Sequence, residues 1–144
     1  MKYMFASDVH GSAYYCRKML ETYKKEQAER LVLLGDLLYH GPRNDLPKEY
    51  APKEVIKMLN GMKQEIYAVR GNCEAEVDQM VLEFPVMADY CILAIDGLTF
   101  YATHGHVYNE NNLPPFCPGD ILIHGHTHVL KAVSYTHLTL PTIR

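Results

Sequence analysis

Apolar and polar positions alternate along the first part of the chain in blocks that predict strands and helices in turn. Short, uniformly apolar runs are typical of buried strands, and longer stretches that mix charged and apolar side chains with helical periodicity are typical of amphipathic helices. The predicted strands are residues 2–7, 30–34 and 64–69, and the predicted helices are residues 13–29, 52–60 and 74–82. This order favours an α/β fold with a parallel sheet.

The pattern changes after Pro85, where strands follow one another without a helix between them. Residues 90–95 and 98–103 predict a hairpin that turns at Asp96-Gly97, and residues 121–123 predict a further short strand. The chain shows no internal repeat and no linker-like stretch. We therefore expect one domain, which we assign to residues 1–132.

Composition narrows the class of protein. The 144 residues carry a net charge of −3, with 48% hydrophobic and 22% charged side chains, as in an ordinary soluble domain. Without a basic excess, nucleic acid is not expected as an obligatory partner. No apolar run is long enough to span a membrane, and Asp8 lies too close to the N-terminus for a signal peptide. We expect a cytoplasmic protein with free thiols, because its 4 cysteines lack CxxC spacing.

Polar side chains that can bind metal ions follow every predicted strand except the first strand of the hairpin. In an extended segment, residues i and i+2 point to the same side, so Asp8 and His10 are predicted to reach one ion together. The remaining candidates at the strand ends are Asp36, Asn72, the pair His104 and His106, and the group His124, His126 and His128. Singly, such residues have simpler explanations, such as a turn cap for Asp36. Because ligands collect at the carboxyl ends of strands in α/β sheets, the whole set favours a metal site.

The order of these motifs resembles the signature of the calcineurin-like metallophosphoesterase superfamily. The segments FASDVHGS, VRGNCEAEVDQM, THGH and GHTH are similar, more narrowly, to the small bacterial YfcE-type phosphodiesterases. The resemblance extends from residue 1 to about residue 130. It implies a metallophosphoesterase-type α-β-β-α sandwich, which we expect to be incomplete at the C-terminus.

The resemblance also implies two divalent metal ions. One ion would be held by Asp8, His10, Asp36 and His128, and the other by Asp36, Asn72, His104 and His126. Asp36 would then bridge both ions through its two carboxylate oxygens. A mixed oxygen and nitrogen donor set suits Mn²⁺, Fe, Zn or Ni, and the resemblance favours manganese. A metal-bridging hydroxide would attack phosphorus, so the predicted function is hydrolysis of a small phosphodiester substrate.

Two residues beside the expected ligands affect this prediction. Many relatives carry a histidine after the metal-binding asparagine, where this chain has Cys73. A neutral thiol is a poor general acid, which predicts a preference for esters whose leaving group needs little protonation. His106 is a candidate for contact with the phosphate, and a hydrogen bond to the backbone is the alternative. The predicted catalytic set is Asp36, Asn72, His104, Cys73 and His106.

Two alternatives stay open at this point. Residues 133–142 resemble one translated frame of a sequencing adaptor, so residues 133–144 are expected to be a non-native tail rather than a short natural C-terminus. The alternative function is a non-catalytic scaffold or binding module of the same fold, or an inactive fragment. Since a fold does not fix a function, the intact set of expected ligands is what favours the enzyme. Homo-oligomerisation is left open.

Overall fold

A parallel sheet with helices on one face forms the first half of the computed structural model, which describes residues 1–128. Its strands lie in the order β1 (Tyr3–Ala6), β2 (Arg30–Leu33) and β3 (Ile66–Ala68), with β2 in the centre. The connections contain α1 (Ala13–Lys25) and α2 (Pro52–Asn60). Because both crossovers advance in the same direction and such crossovers are right-handed, both helices lie on one face of the sheet.

The other face of this sheet packs against a second, mixed sheet. Its strands are β4 (Tyr90–Ile95), β5 (Leu98–Thr103) and β6 (Ile121–His124); β5 lies in the centre, antiparallel to β4 and parallel to β6. The β4–β5 hairpin turns at Asp96 and Gly97, which both have positive φ, as the favoured two-residue hairpin turn requires.

Side chains of β2 point alternately into two hydrophobic clusters, one on each face of the sheet. Leu31 and Leu33 pack with residues of α1 and α2, whereas Val32 packs with Ala102 of the second sheet. All three β2 side chains are fully buried. This explains why the strand is a continuous apolar run instead of an alternating one.

The α/β class predicted from the sequence is confirmed. Within residues 1–128 the layers are helix, sheet and sheet, and no helix follows β4. None of the helices in this range is long and apolar enough to cross a membrane. All four cysteines are free, as expected. The predicted non-native tail lies outside the described residues, so that prediction stays open.

Several predicted element bounds were wrong. Helix α1 ends at Lys25 and not near residue 29, because Gln27 has a φ of 53° and the Ala28 N–H donates to the Tyr23 carbonyl over 3.1 Å. These contacts form the reversal that commonly ends helices. Residues 63–65 form a 3₁₀ helix instead of the start of β3.

The predicted third helix is also shorter than expected. Helix α3 spans Glu76–Val81, and the Asp78 carboxylate accepts a hydrogen bond of 2.7 Å from the Ala75 N–H at its start. Glu74 therefore lies outside the helix, and its side chain is available for other contacts.

The core assignment predicts a large effect of truncating β2. Leu33 is fully buried, so Leu33→Ala should lower the free energy of unfolding by about 2–5 kcal/mol through lost contacts and a residual cavity. Leu46→Ala is the matched control, since Leu46 is 65% exposed; its effect should stay within about 0.5 kcal/mol. Urea denaturation followed by circular dichroism measures both. Equal losses in the two variants would contradict the assignment.

Candidate metal centre

Polar residues from five chain segments meet at one edge of the two packed sheets. The segments follow β1, β2, β3, β5 and β6, and each carries at least one of the expected ligands. The seven residues brought together are Asp8, His10, Asp36, Asn72, His104, His126 and His128. The expected convergence at the carboxyl ends of the strands is therefore observed.

One half of this cluster is formed by Asp8, His10 and His128. The Asp8 Oδ1 atom lies 3.4 Å from His10 Nε2 and 3.1 Å from His128 Nε2. The two imidazole Nε2 atoms are 3.2 Å apart. His10 is buried, whereas His128 is exposed, so this half of the cluster is open to solvent on one side.

The other half is formed by Asn72, His104 and His126. His104 Nε2 lies 2.9 Å from Asn72 Oδ1 and 3.0 Å from His126 Nδ1. His104 is fully buried at its position after β5. It therefore provides the fixed point around which the two other side chains are arranged.

Asp36 lies between the two halves and contacts both through one oxygen atom. Its Oδ2 atom is 3.7 Å from His10 Nε2 and 3.3 Å from His104 Nε2. Its Oδ1 atom instead accepts a hydrogen bond of 2.9 Å from the Cys73 N–H. One carboxylate oxygen therefore faces both halves of the cluster, and the other is bonded to the backbone; the bridging role of Asp36 stays a prediction.

Hydrogen bonds on the outer side of the cluster fix the orientation of the ligand atoms. The Nδ1 atoms of His10 and His104 lie 2.8 Å from the carbonyl oxygens of Tyr39 and Leu34, respectively. A carbonyl oxygen only accepts, so each Nδ1 carries the proton and each neutral ring turns the lone pair of Nε2 inward.

Asp8 is oriented in the same way. Its Oδ2 atom accepts hydrogen bonds of 2.6 Å from the Ser7 hydroxyl and 2.9 Å from the His126 N–H. Its Oδ1 atom is then the one that faces His10 and His128. The second of these bonds also ties the segment after β6 to the segment after β1.

The inward atoms form an arrangement that favours a cation. With its proton on Nδ1, neutral His104 presents a lone pair to Asn72 Oδ1 and Asp36 Oδ2, which are themselves acceptors at 2.9 and 3.3 Å. Buried acceptors that face one another without a donor are unfavourable. A divalent ion accepts all of these lone pairs at once, so the donor set fits metal ions of borderline softness. Within residues 1–128, three groups have the spacing of such sites: Asp8, His10 and His128; His10, Asp36 and Cys73; and Asp36, His104 and His126.

The same preference for positive charge appears in the pKa values of the metal-free cluster. The hydrogen bond to Asp8 raises the pKa of His10. Burial opposes charge on His104, but the neighbouring Asp36 carboxylate outweighs it, so the pKa of His104 is also raised. Burial likewise opposes charge on Asp8, yet the hydrogen bonds from its neighbours lower its pKa. Protons and metal ions therefore compete for the same lone pairs.

The backbone of the cluster is unusual, and it corrects one step of the sequence argument. Five of the eight non-glycine residues with positive φ in residues 1–128 are expected ligands, with φ between 51° and 72°: Asp8, His10, Asp36, His126 and His128. Asp8 and His10 do converge, but the cause is not an extended segment. They converge because both adopt the left-handed conformation, which costs non-glycine residues energy and is typical of functional sites.

Glycines allow the ligand-bearing segments to approach closely. A Cβ atom at Gly71 would overlap Asp36 Oδ1, and one at Gly35, which has a φ of +98°, would overlap the backbone of Gly71. A Cβ atom at Gly125 would lie 2.6 Å from Asp8 Oδ2. Side chains at these positions would push apart the carboxylates that the cluster brings together.

Cys73 and His106 lie at the edge of the cluster. The Cys73 thiol is within 4.8 Å of ligand atoms of His10 and Asp36, and burial, followed by the charge of Asp36, raises its pKa to about 12. The His106 ring lies 5.4 Å from that of His104. Its buried Nδ1 atom has no hydrogen-bond partner within residues 1–128, and burial lowers its pKa. The catalytic roles of both residues stay predictions.

Glu74 is a residue of the site that the sequence argument missed. Its carboxylate is buried and accepts hydrogen bonds from the N–H groups of Asp36, Leu37 and Gly71. The sequence signal for this residue is an acidic side chain two positions after Asn72, but the apolar pattern predicts a helix over residues 74–82.

Comparisons with known proteins agree with this geometry. The family model of the calcineurin-like phosphoesterase superfamily domain matches residues 1–140. Phosphodiesterase YfcE of Escherichia coli (strain K12) is 46% identical over 129 residues, which cover 90% of this chain and 70% of that protein. A phosphodiesterase of Methanocaldococcus jannaschii is 27% identical over 137 residues, which cover 89% of this chain and 74% of that protein.

Solved structures show the same relationship. The structure of YfcE, a phosphoesterase from Escherichia coli, matches with a TM-score of 0.87 at 47% identity, covering 89% of this chain and 70% of that one. The structure of an archaeal phosphodiesterase matches with a TM-score of 0.60 at 27% identity, covering 92% and 78%. By its sequence and by its fold, the chain belongs to the calcineurin-like phosphoesterase superfamily.

Proposed function

We propose that the chain is a phosphodiesterase that works with two divalent metal ions. The observation that carries this proposal is the position of Asp36 Oδ2, which faces a histidine lone pair on each side, 3.7 Å from His10 Nε2 and 3.3 Å from His104 Nε2. The phosphodiesterases among its relatives support the reaction type.

The two halves of the cluster would each hold one ion, with Asp36 shared between them. Asp8, His10 and His128 complete the first set, and Asn72, His104 and His126 complete the second. Both sets combine imidazole nitrogens with carboxylate or amide oxygens, a mixture that suits Mn²⁺. Fe, Zn and Ni are the alternatives.

The ions supply positive charge that neutralises the phosphoryl oxygens and acidity that converts a water molecule into a nucleophile. The protein residues keep the donor atoms in place for this chemistry. The Tyr39 and Leu34 carbonyl oxygens hold the imidazole protons on the outer side, and Ser7 holds the second oxygen of Asp8. His106, whose ring lies 5.4 Å from that of His104, is the residue that we propose to contact a phosphoryl oxygen of a small phosphodiester.

The shared carboxylate gives the first functional prediction. Asp36→Ala should lower the rate of hydrolysis by more than the roughly 100-fold typical of losing a residue behind a metal ligand, because both ions lose a bond. Hydrolysis of bis(nitrophenyl) phosphate with added Mn²⁺, together with the metal content of the purified protein, measures the effect. Asp45→Ala is the matched control, since Asp45 is exposed, and it should leave both quantities unchanged.

Two results would contradict the proposal. Unchanged activity in Asp36→Ala would show that the shared carboxylate is not needed. A wild-type protein that binds two ions but hydrolyses no phosphate ester would favour the non-catalytic scaffold instead.

The thiol at Cys73 predicts a dependence on the leaving group. Without an effective acid at this position, a phenyl diester should be cleaved much faster than an alkyl diester that shares its second ester group. Cys73→His introduces an acid and should narrow the ratio of the two kcat/KM values by up to about 100-fold.

Cys73→Ala serves as the control for this series. It removes the thiol without adding an acid, so the ratio should stay as in the wild type. Equal wild-type rates on the two diesters would show that another group, with His106 the nearest candidate, already protonates the leaving oxygen.

Metal binding should also depend on pH. Because the pKa values of His10 and His104 are raised, both keep a proton at a higher pH than ordinary imidazoles do. A proton on Nε2 occupies the lone pair that the ion needs, so Mn²⁺ affinity should be constant at high pH and fall as pH drops through these values. Calorimetric titration in buffers of different ionisation enthalpy counts the released protons. An affinity that does not change between about pH 5 and 8 would contradict this account.

A further inference from the structure

Glu74 is a buried carboxylate that contacts the backbone of two ligand-bearing segments at once. Its Oε1 atom accepts a hydrogen bond of 2.7 Å from the Leu37 N–H, and its Oε2 atom accepts one of 2.9 Å from the Asp36 N–H. Oε2 also accepts a hydrogen bond from the Gly71 N–H. Glu74 is only 8% exposed, so water does not compete effectively for these donors.

The two segments it joins follow neighbouring strands of the parallel sheet. Gly35 and Asp36 lie beyond the end of β2, and Gly71 and Asn72 lie beyond the end of β3. Each segment carries one expected ligand. Backbone pairing between β2 and β3 extends to the hydrogen bond of 2.9 Å from the Val69 N–H to the Leu33 carbonyl, before either ligand is reached. Within residues 1–128, the Glu74 carboxylate therefore continues the connection between the two strands past the end of the sheet.

We propose that Glu74 is a positioning residue that sets the distance between Asp36 and Asn72 and thereby builds the second metal site. This inference rests on the proposed two-metal function. A carboxylate is suited to the task because its two oxygens together accept three N–H donors. A glutamine at the same place offers one acceptor oxygen and turns an NH₂ group toward a backbone donor, so at least one N–H loses its partner.

The role is asymmetric between the two ions. Besides Asp36, the first ion would be held by Asp8, His10 and His128, none of which lies on a segment that Glu74 contacts. Asp8 is oriented by hydrogen bonds from Ser7 and the His126 N–H, and His10 by donating to the Tyr39 carbonyl. The second ion depends on Asp36 and Asn72 together, which are the ligands on the two segments that Glu74 joins. Loss of Glu74 should therefore weaken binding of the second ion more than binding of the first.

A matched control is available in helix α3. Asp78 is another carboxylate with 8% exposure, and it accepts a hydrogen bond of 2.7 Å from the Ala75 N–H at the start of the helix. Its replacement by the amide also removes a buried carboxylate, but asparagine keeps one oxygen for this single bond, and no ligand-bearing segment is involved.

The test is a titration of the metal-free wild type, Glu74→Gln and Asp78→Asn with Mn²⁺, in which electron paramagnetic resonance measures the free ion. The wild type should bind two ions. In Glu74→Gln the second ion should bind about 10–100-fold more weakly, as for other residues behind metal ligands, with the first changed much less. Asp78→Asn should bind both ions as the wild type does, although its thermal unfolding temperature falls as well.

The outcomes separate this inference from the function on which it rests. A wild type that binds two ions, with a Glu74→Gln variant whose second ion is unchanged or whose ions weaken equally, would overturn the positioning role alone. A similar loss of the second ion in Asp78→Asn would also overturn it. A wild type that binds a single ion would overturn the two-metal function and this inference with it.

A second variant covers the case in which Glu74→Gln does not fold. Glu74→Asp keeps both oxygens on a shorter side chain, so the three donors are retained at longer distance. Glu74→Asp should selectively weaken binding of the second ion, but by a smaller factor than Glu74→Gln does. Equal affinities for both ions in Glu74→Asp and the wild type would overturn the proposal.

Discussion

The site depends on one electrostatic constraint, namely that nitrogen and oxygen atoms with lone pairs, from several chain segments, converge in one partly buried cluster. His104 is the clearest case, because its Nδ1 proton is held by the Leu34 carbonyl and its Nε2 lone pair meets Asn72 and Asp36 oxygens. Such an arrangement favours positive charge. The neighbouring Asp36 carboxylate raises the pKa of His104 although burial opposes its charge.

The two-sheet fold makes this constraint tolerable. Parallel strands direct their carboxyl ends to one edge, so ligands that are distant in sequence meet there. Asp36 comes from the first sheet and His104 from the second, and the cluster that contains Val32 and Ala102 holds the two sheets together. Left-handed conformations at ligand residues cost about 1–3 kcal/mol each. The buried strands, the glycines that permit close approach and the Glu74 carboxylate are what hold the segments in these conformations.

Much of this arrangement could be predicted from the sequence, and the remainder could not for identifiable reasons. The alternation of strands and helices and the polar residues at strand ends are local patterns, so the α/β class and the convergence of polar strand ends followed from them. The choice of seven residues among these followed from the family resemblance. Backbone conformation at the ligands is set by tertiary contacts, so the extended geometry assumed for Asp8 and His10 was wrong. The orientation of Asp36 is set by the Cys73 N–H, and the function of Glu74 depends on two segments distant in sequence from each other. Neither contact has a local signature.

The proposed function requires two bound ions that would share the Asp36 carboxylate, with Oδ2 between the two halves of the cluster. Anomalous diffraction from crystals of the chain grown with Mn²⁺ tests it most directly. If two ions bind as proposed, two anomalous peaks per chain are expected. One should lie among Asp8, His10 and His128, the other among Asn72, His104 and His126, and Asp36 Oδ2 should be the protein atom nearest to both. A single peak, or two peaks bridged by both oxygens of Asp36 with the Cys73 N–H released, would contradict this arrangement.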